Sequence, residues 1–185
     1  WLSSGGYSES SSSLSSPINS AASGSERGQG SMVTSSGVTA QRYPASMATI
    51  FTRIIQGEIP GTFVWRDDQC VAFMSINPLR RGHTLVVPVE EIDHWLDCPD
   101  DLRDHLFSVA QRIGRAQQRA FNPTKVGLMI AGLEVPHLHL HVVPIDGVHD
   151  MDFSNAAAHV DREELEAAAE EIRRELRASG EPGVV

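Results

Sequence analysis

Cysteine is nearly missing from this chain: Cys70 and Cys98 are the two in 185 residues, and they lie far apart in sequence. Two thiols build neither a disulfide framework nor a four-cysteine zinc site, and a cytoplasmic setting is the simplest expectation. No apolar run approaches the ~20 residues of a membrane span, so no membrane partner is expected. Basic charge is also scarce. Fifteen Lys and Arg face 24 Asp and Glu, a formal net charge of −9, which argues against a nucleic-acid polymer or an anionic membrane as partner. A small phosphorylated ligand stays open, because it needs only a local set of donors. No internal repeat is present. With 41% apolar residues, the length suits one ordinary domain with a real core, with room for a tail.

Residues 1–46 lack hydrophobic periodicity. Sixteen of them are Ser, with a run at Ser10–Ser13, and such a segment cannot bury enough apolar surface to offset its ordering entropy. A disordered leader, tag or extension is expected there, with a Ser-rich regulatory arm as the alternative. The basic start and apolar centre of a secretory signal are both missing. The chain opens on Trp1, and Met47 reads as the start of the folded unit, with Met32 as second candidate. Glu9, Glu26, Arg27 and Arg42 cancel, so the whole −9 sits in 47–185.

The body reads as mixed helix and strand. Residues 50–55 suit a short helix closed by Gly57 and Pro60. Phe63–Arg66 and Cys70–Met74 form a hairpin pattern across Asp67-Asp68-Gln69, and Thr84–Pro88 a buried strand. From Asp100 the apolar residues Leu102, Leu106, Val109, Ile113, Ala116 and Ala120 step by four and three, an amphipathic helix to Phe121. Val126–Ile130 and His137–Val143 read as strands. Asp161 with Glu164 has capping-box spacing, opening a last helix over 161–179 on the stripe Leu165, Ala168, Ile172, Leu176. Strands grouped around one long helix predict an α+β layer.

The stretch that carries chemistry is Glu134-Val135-Pro136-His137-Leu138-His139-Leu140-His141-Val142-Val143-Pro144. On a strand the three histidines share one face and Leu138, Leu140 and Val142 the other. With 8 His in 185 residues, chance yields about 0.015 such triples per chain. Three readings compete: polar decoration of a solvated face, a metal site of His-x-His type, or nucleophilic catalysis on phosphorus by a neutral imidazole whose neighbours set its tautomer. A metal site would need a closing ligand from His83, Asp146 or His149, and no spacing singles one out.

At this point the chain resembles the histidine-triad (HIT) family of nucleotide hydrolases and transferases. Its pattern of histidines alternating with apolar residues is met at every position from His137 to Val143. The likeness extends upstream through Ile50-Phe51, Ile54-Ile55-Gln56-Gly57-Glu58-Ile59-Pro60, Ala72-Phe73, Asn77-Pro78 and Gly82-His83-Thr84-Leu85-Val86-Val87-Pro88. Gly132 and Glu134-Val135-Pro136 match the usual lead-in, and coverage runs over about 48–145.

The resemblance implies a HIT-like antiparallel sheet of about five strands with a long central helix and a C-terminal helix. It makes His139 the nucleophile, forming a nucleotidyl-histidine. His141 and His137 would contact or polarise the phosphate and leaving group, with His83 supporting from the neighbouring strand. Substrate contacts are expected from Asn77, Gly132, Glu134, Val135 and Ser75, the last standing where the family usually has an acidic residue for the ribose. Many members hold zinc with a Cys pair in the opening segment; Thr49 and Thr52 stand in those places, so no metal or other cofactor is expected. The loop before the triad, Ile130-Ala131-Gly132, lacks the family's common Asn. Arg80 or Arg81 would supply basic help. Two other classes remain open: a nucleotide-binding or scaffolding protein with little turnover, and a zinc site formed by the triad. The resemblance also implies a homodimer, joined along the long helix and the 126–130 strand edge, with Phe107, Ala110 and Gly114 on the partner face.

Overall fold

The computed structural model describes residues 48–185; the tail expected over 1–46 lies outside the described residues. The order is α1 (Ile50–Ile55), β1 (Phe63–Arg66), β2 (Cys70–Met74), β3 (Thr84–Pro88), α2 (Asp100–Phe121), β4 (Lys125–Met129), β5 (Leu140–Ile145) and α3 (Arg162–Ala178). The five strands pair antiparallel in the order β1-β2-β3-β5-β4. The α+β expectation therefore holds, with a five-stranded sheet. Among the described residues no helix is long and apolar enough to cross a membrane.

β2, β3 and the segment through β5 sort their side chains by parity. Cys70, Ala72, Met74, Val86, Leu138, Leu140 and Val142 join the main core, covered by α2 and α3. Val71, Phe73, Leu85 and Val87 join a smaller core on the opposite face with Phe51 of α1. That second face is where the histidines project.

α2 buries the predicted stripe from Leu102 to Ala116. Burial of each large residue, such as Leu106 or Ile113, stabilises by about 1.5–3 kcal/mol. Gln117 breaks the apolar pattern yet is fully buried, because its Nε2 donates to Gly82 O (2.9 Å) and Val142 O (3.0 Å) and so ties α2 to the sheet. The helix ends where Asn122 turns left-handed at φ 49° and Pro123 forbids continuation.

Three expectations need correction. β5 begins at Leu140 rather than His137. Pro88 has no N–H to continue the β3 ladder opposite Leu138, and Leu138 N instead donates to Ile92 O at 2.6 Å. β4 is one residue early, Lys125–Met129, and lies at the sheet edge as expected, with Leu128 exposed. The capping box of α3 does not form: Asp161 is the N-cap, but its exposed carboxylate sits 3.5 Å from His159 Nε2 instead of bonding the helix N–H groups.

His105 of α2 is half-buried. Its Nε2 lies 2.9 Å from Asp67 Oδ2, which also accepts from Trp65 Nε1 at 2.7 Å. Asp67 Oδ1 accepts from Gln69 N and Cys70 N. Burial raises the Asp67 pKa, but these bonds outweigh it and hold it at about 2. The carboxylate thus pins the β1–β2 turn to α2.

Candidate active site

Four histidines converge on the α1 side of the sheet. His83 (1% exposed), His137 (0%), His139 (5%) and His141 (7%) are all buried, so decoration of a solvated face is excluded. His139 and His141 rings lie 4.8 Å apart between centroids, and His141 and His83 5.2 Å. Phe51 stands edge-on to His139 at 5.0 Å, and Phe153 edge-on to His141 at 5.1 Å.

Acceptor-only partners fix the tautomers. His139 Nδ1 lies 2.7 Å from His137 O; a carbonyl only accepts, so Nδ1 carries the proton and Nε2 keeps its lone pair in the neutral ring. Leu79 N donates to His83 Nδ1 at 3.1 Å, which leaves the His83 proton on Nε2, donated to His141 Nδ1 at 3.0 Å. His141 therefore presents Nε2–H outward. The two reactive nitrogens are complementary, a bare lone pair beside a donor.

Burial favours the neutral rings. It pushes His83 down to about 3 and His141 to about 4, with neighbouring imidazoles adding to both. His139 is lowered by burial, partly countered by its bond to His137 O and by the Glu134 charge. All are uncharged at neutral pH.

His137 differs. Its Nε2 donates to Pro88 O at 2.9 Å and its Nδ1 is 2.9 Å from Thr49 Oγ1. With both nitrogens engaged inside the protein, it is not placed to contact a phosphate; the expected contact becomes a supporting role.

The remaining expected residues divide. Gly132 turns at φ 70°, a conformation that favours glycine, and shapes the loop before the triad. Glu134 is exposed and Val135 packs against the smaller core beside Phe51. Among the described residues, the backbone N–H groups of Gly132, Glu134 and Val135 have no protein acceptor. Ser75 is half-buried at the end of β2, its N–H donated to His83 O at 3.0 Å. Asn77 Nδ2 donates to Ala157 O and Ala158 O, both at 3.0 Å, which ties the β2–β3 connection to the segment before α3. Arg80 is held by Asp146 and Asp150, and Arg81 by Glu171, so neither is free to supply basic help. Thr49 and Thr52, at the places of the family's zinc-binding Cys pair, and Glu91, which sequence reading did not single out, stand behind His137. Thr49 carried a second signal, its place as an N-cap type before α1.

One other group of potential metal ligands converges among the described residues, Asp67, Cys70 and His105, away from the triad. Its carboxylate already serves the turn described above.

Comparison with known proteins agrees with this geometry. The HIT domain family model matches residues 56–148. Protein hit of Bacillus subtilis is 31% identical over 138 residues, spanning 70% of this chain and 95% of that protein. An adenosine 5'-monophosphoramidase of Saccharomyces cerevisiae is 32% identical over 104 residues, 55% of this chain and 66% of that one. The crystal structure of a Hit-like protein involved in cell-cycle regulation from Bartonella henselae superposes with TM-score 0.60 at 32% identity, covering 69% of this chain and 95% of that one. The chain belongs to the histidine-triad family, within the superfamily of nucleotide hydrolases and transferases.

Proposed function

We propose that this protein cleaves a linkage at the 5'-phosphate of a nucleotide through a nucleotidyl-histidine at His139. The observation that carries the reading is the tautomer pair: Nε2 of His139 bare, Nε2 of His141 protonated, in neighbouring rings. A phosphoramidate is the preferred substrate class, with acyl, sulfate and dinucleotide linkages as the others to test; the yeast relative named above is a phosphoramidase.

In the first step His139 Nε2 attacks the α-phosphorus. The phosphorus–nitrogen bond breaks with its electron pair on nitrogen, which takes one proton from solvent and departs as the neutral amine, balancing the proton that the second step releases. His139 becomes an N-phosphorylated imidazolium whose Nδ1–H stays bonded to His137 O. His141 Nε2–H donates to a phosphoryl oxygen as charge develops there, and the backbone N–H groups over 132–135 add donors. Water then forms the new oxygen–phosphorus bond, the pair returns to His139 Nε2, and a proton goes to solvent. The product is a nucleoside monophosphate. Ser75 would reach the ribose, a shorter and uncharged contact than a carboxylate, which loosens nucleoside selection.

The same proposal includes a homodimer and a cytoplasmic setting. In support of the dimer, Phe107 of α2 (42% exposed) and Leu128 of β4 (44%) line one groove with Gly114 and Val126. Ala110, buried in the main core, forms part of the floor of that groove. Both cysteines are unpaired.

The test is a panel of adenosine 5'-monophosphoramidate, a dinucleoside polyphosphate, an adenylyl sulfate and an acyl adenylate, with wild type and His139→Ala. Wild type should release the monophosphate from at least one, and His139→Ala should lose about 10³-fold or more in kcat while staying folded. Equal turnover by the two would remove His139 from the nucleophile's role.

A further inference from the structure

The reaction leaves three polar side chains around His137 without a task. Thr52 Oγ1 donates to Glu91 Oε2, and Thr49 N donates to the same oxygen at 3.2 Å. Thr49 Oγ1 lies 2.9 Å from His137 Nδ1 and Thr52 Oγ1 3.4 Å from it, with the two hydroxyls 3.1 Å apart. These residues come from α1, its N-cap and the segment after β3, separated from His137 by 46 to 88 positions.

The proton positions in this group follow from its two ends. Glu91 is ionised: burial pushes its carboxyl up, but the bonds from Thr52 and Thr49 outweigh this and hold it below the ordinary range. A carboxylate only accepts, so the Thr52 hydroxyl points toward Glu91. At the other end Pro88 O only accepts, so His137 carries its proton on Nε2. His137 Nδ1 then needs a donor, and a fully buried ring nitrogen left without one is costly. The Thr52 proton is committed to Glu91, so the Thr49 hydroxyl, the nearer of the two, is that donor. Its own oxygen accepts from Thr52 N at 3.2 Å. Every hydrogen has one place.

We propose that Glu91 is a positioning residue, acting through the hydroxyls of Thr52 and Thr49 to hold the His137 ring and, through the His137 carbonyl, the Nδ1–H of His139. This rests on His139 as nucleophile. The nucleophile's lone pair is aimed by a bond to a main-chain atom of His137, so the placement of that residue sets the line of attack. A small displacement of an attacking atom is expensive in rate.

Thr49 also caps α1, so its removal mixes helix stability with positioning; Thr52 and Glu91 avoid this. The experiment compares wild type, Glu91→Gln, Thr52→Val and Thr52→Ser in the full chain. It measures turnover of the best substrate of the panel, thermal unfolding, and the imidazole nitrogen signals of His137 by NMR. Glu91→Gln and Thr52→Val should lower kcat by about 10- to 100-fold, with KM within about twofold, and should shift the His137 nitrogen signals. Thr52→Ser should restore both. Wild-type kcat and unshifted His137 signals in the two variants, with His139→Ala inactive, would overturn the proposal, as would a kcat loss that only tracks the unfolded fraction. If His139→Ala itself retained full turnover, the nucleophile reading would fall and with it the catalytic half of the proposal. The His137 signals would still show whether Glu91 orders the ring.

Discussion

Neutrality is the property that each imidazole of the site owes to its surroundings. An unfolded histidine titrates near 6.5, whereas His83 is held at about 3 and His141 at about 4. From about pH 4 to 6.5 the unfolded chain therefore binds more protons than the folded one, and stability rises with pH across that window. The contribution is complete above about pH 6.5 and lost as pH falls toward the folded values. Depressed carboxylates such as Asp67 and Asp150, both at about 2, act lower, between their folded values and about pH 4. The thermal midpoint should accordingly drop between about pH 7.5 and pH 5, and drop less in His83→Asn, which removes one buried titrating ring. Equal midpoints at the two pH values in wild type would contradict the buried neutral state. The three triad histidines were legible in the sequence because alternation on an extended chain is a local property. The link from Thr49 and Thr52 to His137, and Glu91 altogether, were not, since those contacts span 39 to 88 positions. Asn77 shows the converse: a motif position marks where a residue sits, while its amide N–H groups go to carbonyls 80 and 81 positions away.

The elements themselves were read to within a residue or so wherever a period or a breaker marked them. α1, β1, β2, β3 and α2 fall at their expected bounds. β5 slipped by three residues because ladder pairing depends on the partner strand, and the partner's Pro88 is invisible from within His137–Val143. The close of α2 shows how local and tertiary demands meet. Asn122 holds φ 49°, and Gly82, at φ 90°, meets the Phe121 ring so closely that a Cβ there would lie 2.4 Å from it. Asn122→Ala should cost about 1 kcal/mol from left-handed strain, and Asn122→Gly should cost nothing. Gly82→Ala should cost more than Asn122→Ala, because strain and overlap add. Denaturant unfolding of the three variants ranks them; Gly82→Ala as stable as wild type would show that the Phe121 ring yields freely.

For the molecule as a whole, the open side is the groove of α2 and β4. An edge strand carrying Val126, Leu128 and Met129 is a pairing template, and a two-fold partner closes both copies at the same time. Light scattering on the chain starting at Met47 should give the mass of two subunits at micromolar concentration, and Leu128→Lys should bring it to one. A wild-type mass of one subunit would remove the dimer from the proposal. Beyond assembly, the segment from His137 to Val142 has a consequence for how this protein can change over generations. Its even positions, Leu138, Leu140 and Val142, belong to the main core, while its odd positions carry the imidazoles. Selection for durability and selection for chemistry thus act on alternate letters of one six-letter word. Lineages can exchange one aliphatic residue for another at the even letters without rewriting the reaction. A change at an odd letter revises the reaction while the word remains anchored in the core.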